Sequence, residues 1–330
     1  MTYSSGSLIQ ATDYNTFTTT SGGLNDIWAT GAGDKGWGQT AFTSANTADT
    51  VTATQWAQLV NNLATSGSQT NSSLTSRTAP TAGTTISVLS AVATDIATVT
   101  TNRGNAAAVG TEYGTFSGTT SKTTATGSAQ TTWTITFTHT VTFPSAAQAR
   151  YFWNAGGRVR LQYAKSSTGT DIDADWNTFV GLAGSIYISG RVNSAAQTIA
   201  GTSYTGTTRI GGTGGTQTTL ATTTGWYNLT TTPATLFKLN NTATPYTGEY
   251  IQTTAAIDAT SSILTLVTTW FQPAVSAPGT TCNISGGTAT GSPSTTITGT
   301  APTTLVTYIP PSTTYLTNSW GTPTIAASVA

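Results

Sequence analysis

From Trp133 to Phe143 the chain reads W-T-I-T-F-T-H-T-V-T-F, with threonine at every second position. Successive side chains on a strand point to opposite faces. The alternation therefore builds a strand with one buried face and one face covered in hydroxyls. Pro144 closes the run.

The same chemistry extends through the chain, since about a quarter of its 330 residues are threonine. Threonine is β-branched and suits either face of a pleated sheet. Only 7% of residues are charged, 11 basic against 11 acidic, where an ordinary globular protein carries roughly 25%. Hydroxyls take over the solvent contact. With 37% hydrophobic and 9% aromatic residues the chain has material for a core and is not a disordered sequence.

Arg150–Trp153 followed by Asn154-Ala155-Gly156-Gly157 and Arg158–Tyr163 reads as strand, glycine turn and strand. Further strand candidates are Ser185–Val192, Gly225–Leu229, Ala234–Leu239, Glu249–Thr254, Ile263–Phe271 and Thr304–Ile309. With no helix between them, they predict a mainly β region over 111–330, an antiparallel, jelly-roll-like sandwich.

Residues 1–110 have a helical texture. Trp56, Leu59, Val60 and Leu63 fall at i, i+3, i+4 and i+7, with Thr54 as the expected N-cap. Leu89, Val92, Ile96 and Val99 share a second helix face. Ala11–Phe17 echoes Ala53–Leu59, both reading A-T-polar-aromatic-x-x-apolar, so each should start a helix and bury its aromatic.

Balanced charge and scattered basic residues, apart from Arg150, Arg158, Arg160 and Lys165, argue against nucleic-acid binding. No apolar run approaches the ~20 residues needed to span a bilayer. Met1–Asn15 shows neither a basic n-region nor an apolar h-region, so synthesis in a cytoplasm is expected. A single cysteine, Cys282, excludes an internal disulfide framework and a thiolate metal cluster.

The stretch Ala29–Thr40, ATGAGDKGWGQT, contains a G-x-G-x-x-G match. A dinucleotide loop needs a strand before it and a helix after it. Here Leu24–Trp28 reads as a helix end, Gln39–Ser44 has no helical stripe, and Lys35 is not followed by Ser or Thr. A turn that packs Trp28 and Trp37 is expected instead. Asp171-Ile172-Asp173-Ala174-Asp175 opens like a calcium loop, but Trp176 and Leu182 stand where an EF-hand needs Gly and Glu. A polar inter-strand loop is expected, with a looser calcium site as the alternative.

His139, the one histidine, lies in register with Trp133, Ile135 and Phe137 and reads as a core or edge residue. A glycosidase needs two carboxyl groups across a cleft, and nothing in the sequence pairs Glu112, Glu249, Asp258 or the Asp171–Asp175 group. Cys282 has no charged neighbour to activate it and reads as a structural thiol. Arg158 and Arg160 share one strand face, expected to be solvated or to form a subunit contact. No catalytic, cofactor-binding or metal-ligating set emerges.

Several of these stretches resemble structural proteins of tailed bacteriophages of marine bacteria and cyanobacteria. They are Ile9–Asn15, Gly31–Gln39, Val51–Trp56, Tyr151–Leu161, and Asp175–Phe179 with Ser185–Ile188. The resemblance covers residues 8–63 and 131–190 and implies a virion structural protein with no catalytic residues to carry over. Neck or collar, tail fibre, head fibre and decoration are all compatible roles. The expected partners are copies of itself, with a trimer preferred, and other virion proteins. A host-surface glycan is the alternative partner, for a carbohydrate-binding module or depolymerase.

Overall fold

The computed structural model describes residues 10–46, 49–84, 90–105, 117–121, 131–166, 168–169, 171–190, 197–199, 202–204, 206–213, 218–275, 280–284, 287–291 and 294–330. Its N-terminal region is helical: α1 (Ala11–Thr18), α2 (Asn25–Trp28), α3 (Ala53–Gln69) and α4 (Ser90–Asn102). Both echoing segments become helices and bury their aromatics against each other. Tyr14 and Trp56 meet edge to face at 5.5 Å, and Phe17 lies 6.1 Å from Trp56.

The cap of α3 is Thr52 and not Thr54. Thr52 Oγ1 accepts from the Gln55 amide at 3.2 Å, and Gln55 Oε1 accepts from the Thr52 amide at 2.8 Å. This reciprocal pair satisfies two end groups at once and starts the helix two residues earlier. On α4 the predicted face is buried at Val92, Ile96 and Val99, while Leu89 lies outside the described residues.

Two antiparallel sheets follow, as a sandwich behind a helical region requires. One has five strands in the order β1 (Ser117–Ser121), β14 (Thr303–Ile309), β3 (Arg158–Ala164), β4 (Ser185–Ser189) and β7 (Thr208–Ile210). The other has six: β15 (Thr324–Val329), β2 (Trp133–Thr142), β11 (Ile263–Gln272), β10 (Tyr250–Ile257), β9 (Ala234–Asn240) and β8 (Thr218–Leu220). Short hairpins β5 (Gln197–Ile199) with β6 (Thr202–Tyr204), and β12 (Thr280–Ile284) with β13 (Gly287–Gly291), stand apart.

Residues of the β2 repeat alternate as their sequence dictates, with Trp133, Ile135, Phe137, His139 and Val141 buried. The sheets meet through aromatic rings and hydroxyls. Trp270 of β11 donates its indole N–H to Thr304 Oγ1 of β14 at 3.1 Å. The hydroxyls of Tyr163 (β3), Thr253 (β10) and Thr268 (β11) form a buried chain with 2.8 Å links. Hydroxyls thus enter the core as mutually satisfied pairs. One continuous apolar cluster runs from Ala11 to Trp320 and joins the helical region to the sandwich.

Helices do interleave the strands, contrary to expectation. Arg150–Trp153 belongs to helix α5 (Ala146–Asn154) and not to a strand. Ser145 Oγ accepts from the Gln148 amide at 3.2 Å, and Ala149, Phe152 and Trp153 line one buried face. Asp171–Asp175 is the first turn of helix α6 (Asp171–Ala183), which buries Ile172, Trp176, Phe179, Val180 and Ala183. Gly225–Leu229 is a tight helical turn at Trp226–Asn228, and the strand from Ser185 stops at Ser189. Among the described residues no helix is long and apolar enough to cross a membrane.

Candidate functional site

The glycine stretch folds as the corner expected of it, and its polarity is opposite to that of a phosphate loop. A phosphate cradle turns backbone N–H groups toward the ligand. Here the N–H groups of Trp37, Gly38 and Gln39 bond back to the carbonyls of Ile27, Ala29 and Trp28 at 2.8–3.0 Å. The carbonyls of the loop face inward and converge on helix α5. Asn154 Nδ2 donates to Lys35 O at 2.7 Å and to Gly33 O and Gly36 O at 3.2 Å, and Arg150 donates to Gly31 O at 2.8 Å. Lys35 is bound to Asp26 at 2.7 Å. The space a ligand would occupy is filled by the protein's own amide.

Backbone geometry explains two of the glycines. Gly36 has φ +90°, and a Cβ there would lie 2.2 Å from Thr30 O. Gly38 has φ +69°, and a Cβ would stand 2.4 Å from the Tyr151 ring. Side chains are excluded at both by strain and by contact.

Beyond the corner the bonds spread through the molecule. Trp37 Nε1 donates to Asn154 O at 3.2 Å, and Tyr227 donates its hydroxyl to Asn154 Oδ1. Burial pushes the Tyr227 phenol well above its ordinary range. The adjoining residues Trp153 and Trp226 stack on each other at 5.1 Å. Gln39 clasps the C-terminal segment: its Oε1 accepts from Thr317 N at 2.9 Å and its Nε2 donates to Thr317 O at 3.0 Å. Arg103, beyond α4, pairs with Asp34. Helices α2, α4 and α5 and the C-terminal segment are joined at this one point.

The three aspartates of the expected calcium opening diverge because they lie on a helix. Asp171 is exposed. Asp173 forms a fully buried ion pair with Lys165 and accepts from the amides of Thr298 and Gly299 at 3.1 Å. Asp175 meets Glu249, a pairing that no local sequence signal announces. Asn241 Nδ2 donates to Asp175 Oδ2 at 3.0 Å and to Glu249 Oε1 at 2.8 Å. Burial, reinforced at Glu249 by the neighbouring Asp175, raises both carboxyls above the usual carboxylate range. No group of three or more His, Cys, Asp or Glu among the described residues is placed to hold a metal ion.

His139 is fully buried in β2, opposite Leu266 and Ala327. Arg158, expected on a solvated face or at a subunit contact, is only 5% exposed. Its neighbour Arg160 is half-buried, 3.5 Å from the Tyr187 hydroxyl, so this face is not freely solvated. Glu112 and the Cys282 side chain lie outside the described residues.

A groove of about 310 Å³ opens beside the segment that Gln39 clasps, lined by Tyr308, Pro311, Thr314, Asn318, Trp320 and their neighbours. Its lining is uncharged. Trp320 is 1% exposed and faces the core, while Tyr315 on the adjoining loop is 41% exposed. The chain matches no family model, no curated protein and no solved structure.

Proposed function

We propose that this chain is a non-enzymatic structural component of a tailed-phage virion, acting through assembly with copies of itself and other virion proteins. A neck or collar, tail-fibre, head-fibre or decoration role fits, with a trimer as the preferred state.

The edge strand β15 carries this reading. It pairs with β2 on one side, and among the described residues no strand pairs with the other. Ile325, Ala327 and Val329 share the face of Val141, His139 and Phe137, yet Val329 is 38% exposed. Thr324–Val329 has no charge and no proline. Proteins that live alone guard such edges with charges, prolines or bulges. Strand β1 lies beside β15 without pairing to it. An edge left without a pairing strand suits burial against another subunit, and a chain with few charges has few to desolvate there.

The glycine corner also supports a structural role, because its carbonyls are consumed inside the molecule. Mass spectrometry of purified virions tests the assignment. Stoichiometric presence of the chain supports it, and absence from particles overturns it.

A glycan-binding role is the second reading, favoured by the uncharged groove and the exposed Tyr315. Glycan-array binding that is lost in Tyr315→Ala and Asn318→Ala would support it.

A further inference from the structure

We propose that Asp175 and Glu249 act as a proton lock, in which one proton held between the two carboxyl groups fastens the β9–β10 loop to helix α6 and its loss releases the loop. This goes beyond the assembly role and does not depend on it.

Two carboxyl groups converge on a single amide, and Asn241 Nδ2 supplies an N–H to one oxygen of each. Glu249 is fully buried, and its Oε2 has no donor among the described residues. A buried acceptor left in this state is costly. Two like charges sharing one amide add repulsion to that cost. A single proton on one carboxyl removes one charge and supplies the missing O–H donor.

A metal ion fits less well. Asn241 turns its NH₂ toward both acids, while its Oδ1 accepts from the Ala243 amide at 2.8 Å. Positively polarised N–H groups aimed at the acids suit shared carboxyls and would repel a cation.

The surrounding charges do not neutralise the pair. On α6, Asp171 is exposed and Asp173 is bound to Lys165. On β9, Lys238 sits over the Tyr250 ring at 4.3 Å. On β3, Arg158 and Arg160 alternate with the core residues Val159 and Leu161 and so face away. The 241–249 loop carries no other ionisable group except Tyr246, whose hydroxyl bonds Ser294 O at 3.4 Å. Strand β12, which also touches α6, carries only Cys282. Burial therefore raises both groups, with the Asp175 charge adding to it at Glu249, and the Asn241 amide offsets this only in part.

The lock has a mechanical consequence because Glu249 and Asn241 close the loop. The Asn241 amide donates to Glu249 O at 2.8 Å and the Gly248 amide to Asn241 O at 2.9 Å. Asp175 is the side chain of α6 that this closed loop grips.

Hydrogen exchange by mass spectrometry on the full chain, from about pH 5 to about pH 8, reads the lock at residues 241–249. After correction for intrinsic exchange, protection there should fall by up to about tenfold for each pH unit between the ordinary carboxylate range and the pair's upper titration, and level off above it. In Glu249→Gln and Asp175→Asn, which keep the shape and lose the second charge, protection should stay nearly level. A carboxylic-acid infrared band persisting at neutral pH in the wild type and missing from both variants is the companion readout. Parallel pH profiles in wild type and variants would overturn the proposal. So would calcium restoring protection at high pH in wild type but not in Glu249→Gln, since the pair would then be a cation site. If one variant fails to fold, the other and the wild-type infrared band still decide.

Discussion

Trp37 and Asn154 hold each other in both directions. The indole N–H of Trp37 donates to the backbone carbonyl of Asn154, and the Asn154 amide donates to carbonyls of the loop that presents Trp37. A glycine loop and a helix far apart in sequence are thereby made one rigid corner. Replacing Asn154 by Ala would leave buried carbonyls without donors, and each such group costs about 1–3 kcal/mol. Thermal denaturation should show a clear loss in Asn154→Ala and a smaller one in Trp37→Phe, which keeps the ring and loses one bond.

Gly38 tests the same corner from its backbone. A methyl group at φ +69°, 2.4 Å from the Tyr151 ring, forces either strain or displacement of the ring. Gly38→Ala should cost about 2 kcal/mol or more in a denaturant titration. Gly33→Ala, where nothing lies within 4 Å, should cost less, reflecting its φ of +57° alone.

Thr253 stands in the middle of the hydroxyl chain between the two sheets. Thr253→Val keeps its volume and strips its oxygen, leaving Tyr163 and Thr268 short of a partner in the core. A loss of about 1–3 kcal/mol is expected. Thr134→Val, on the outward face of β2, should leave the melting temperature nearly unchanged.

Two acids should impose opposite pH trends. Slight burial raises Asp258, but hydrogen bonds from Thr260, Ser262 and Ile263 outweigh it and hold the group at about 2. A depressed acid stabilises the fold above its unfolded pKa, roughly 4, and that contribution is lost as pH falls through the folded value. Asp258→Asn should therefore lower the melting temperature at neutral pH and converge with wild type in strong acid. Glu249 is raised, so its contribution is present below roughly pH 4 and lost as pH rises through its folded value. Glu249→Gln should match wild type in acid and exceed it at neutral pH. Melting curves across the pH range separate the two.

Much of this architecture could be read from periodicity. The threonine alternation of β2 and the helical stripe of α3 each carry enough repeats to declare their period. Helix α5 was obscured because Tyr151-Phe152-Trp153 is short, aromatic and followed by glycines, which imitates a strand and turn. Its start was nonetheless legible in Ser145-x-x-Gln148, the spacing of a helix cap. Helix α6 hid behind alternating aspartates, although Ile172, Trp176, Phe179 and Val180 keep helical spacing.

The site was legible only in halves. The Gly31–Gln39 corner and the Asn154-x-Gly-Gly turn stand out separately, but only the fold joins them through Trp37. Asp175 and Glu249 have no local partner in sequence, because their meeting depends on where the β9–β10 loop lands on α6.

Light scattering coupled to size-exclusion chromatography, on the full chain at micromolar concentration, addresses the assembly claim most directly. A closed oligomer, a trimer in the preferred form, is expected to weaken or dissociate when Ala327→Lys places a charge on the exposed edge strand. A stable monomer, or an oligomer indifferent to that charge, would contradict it.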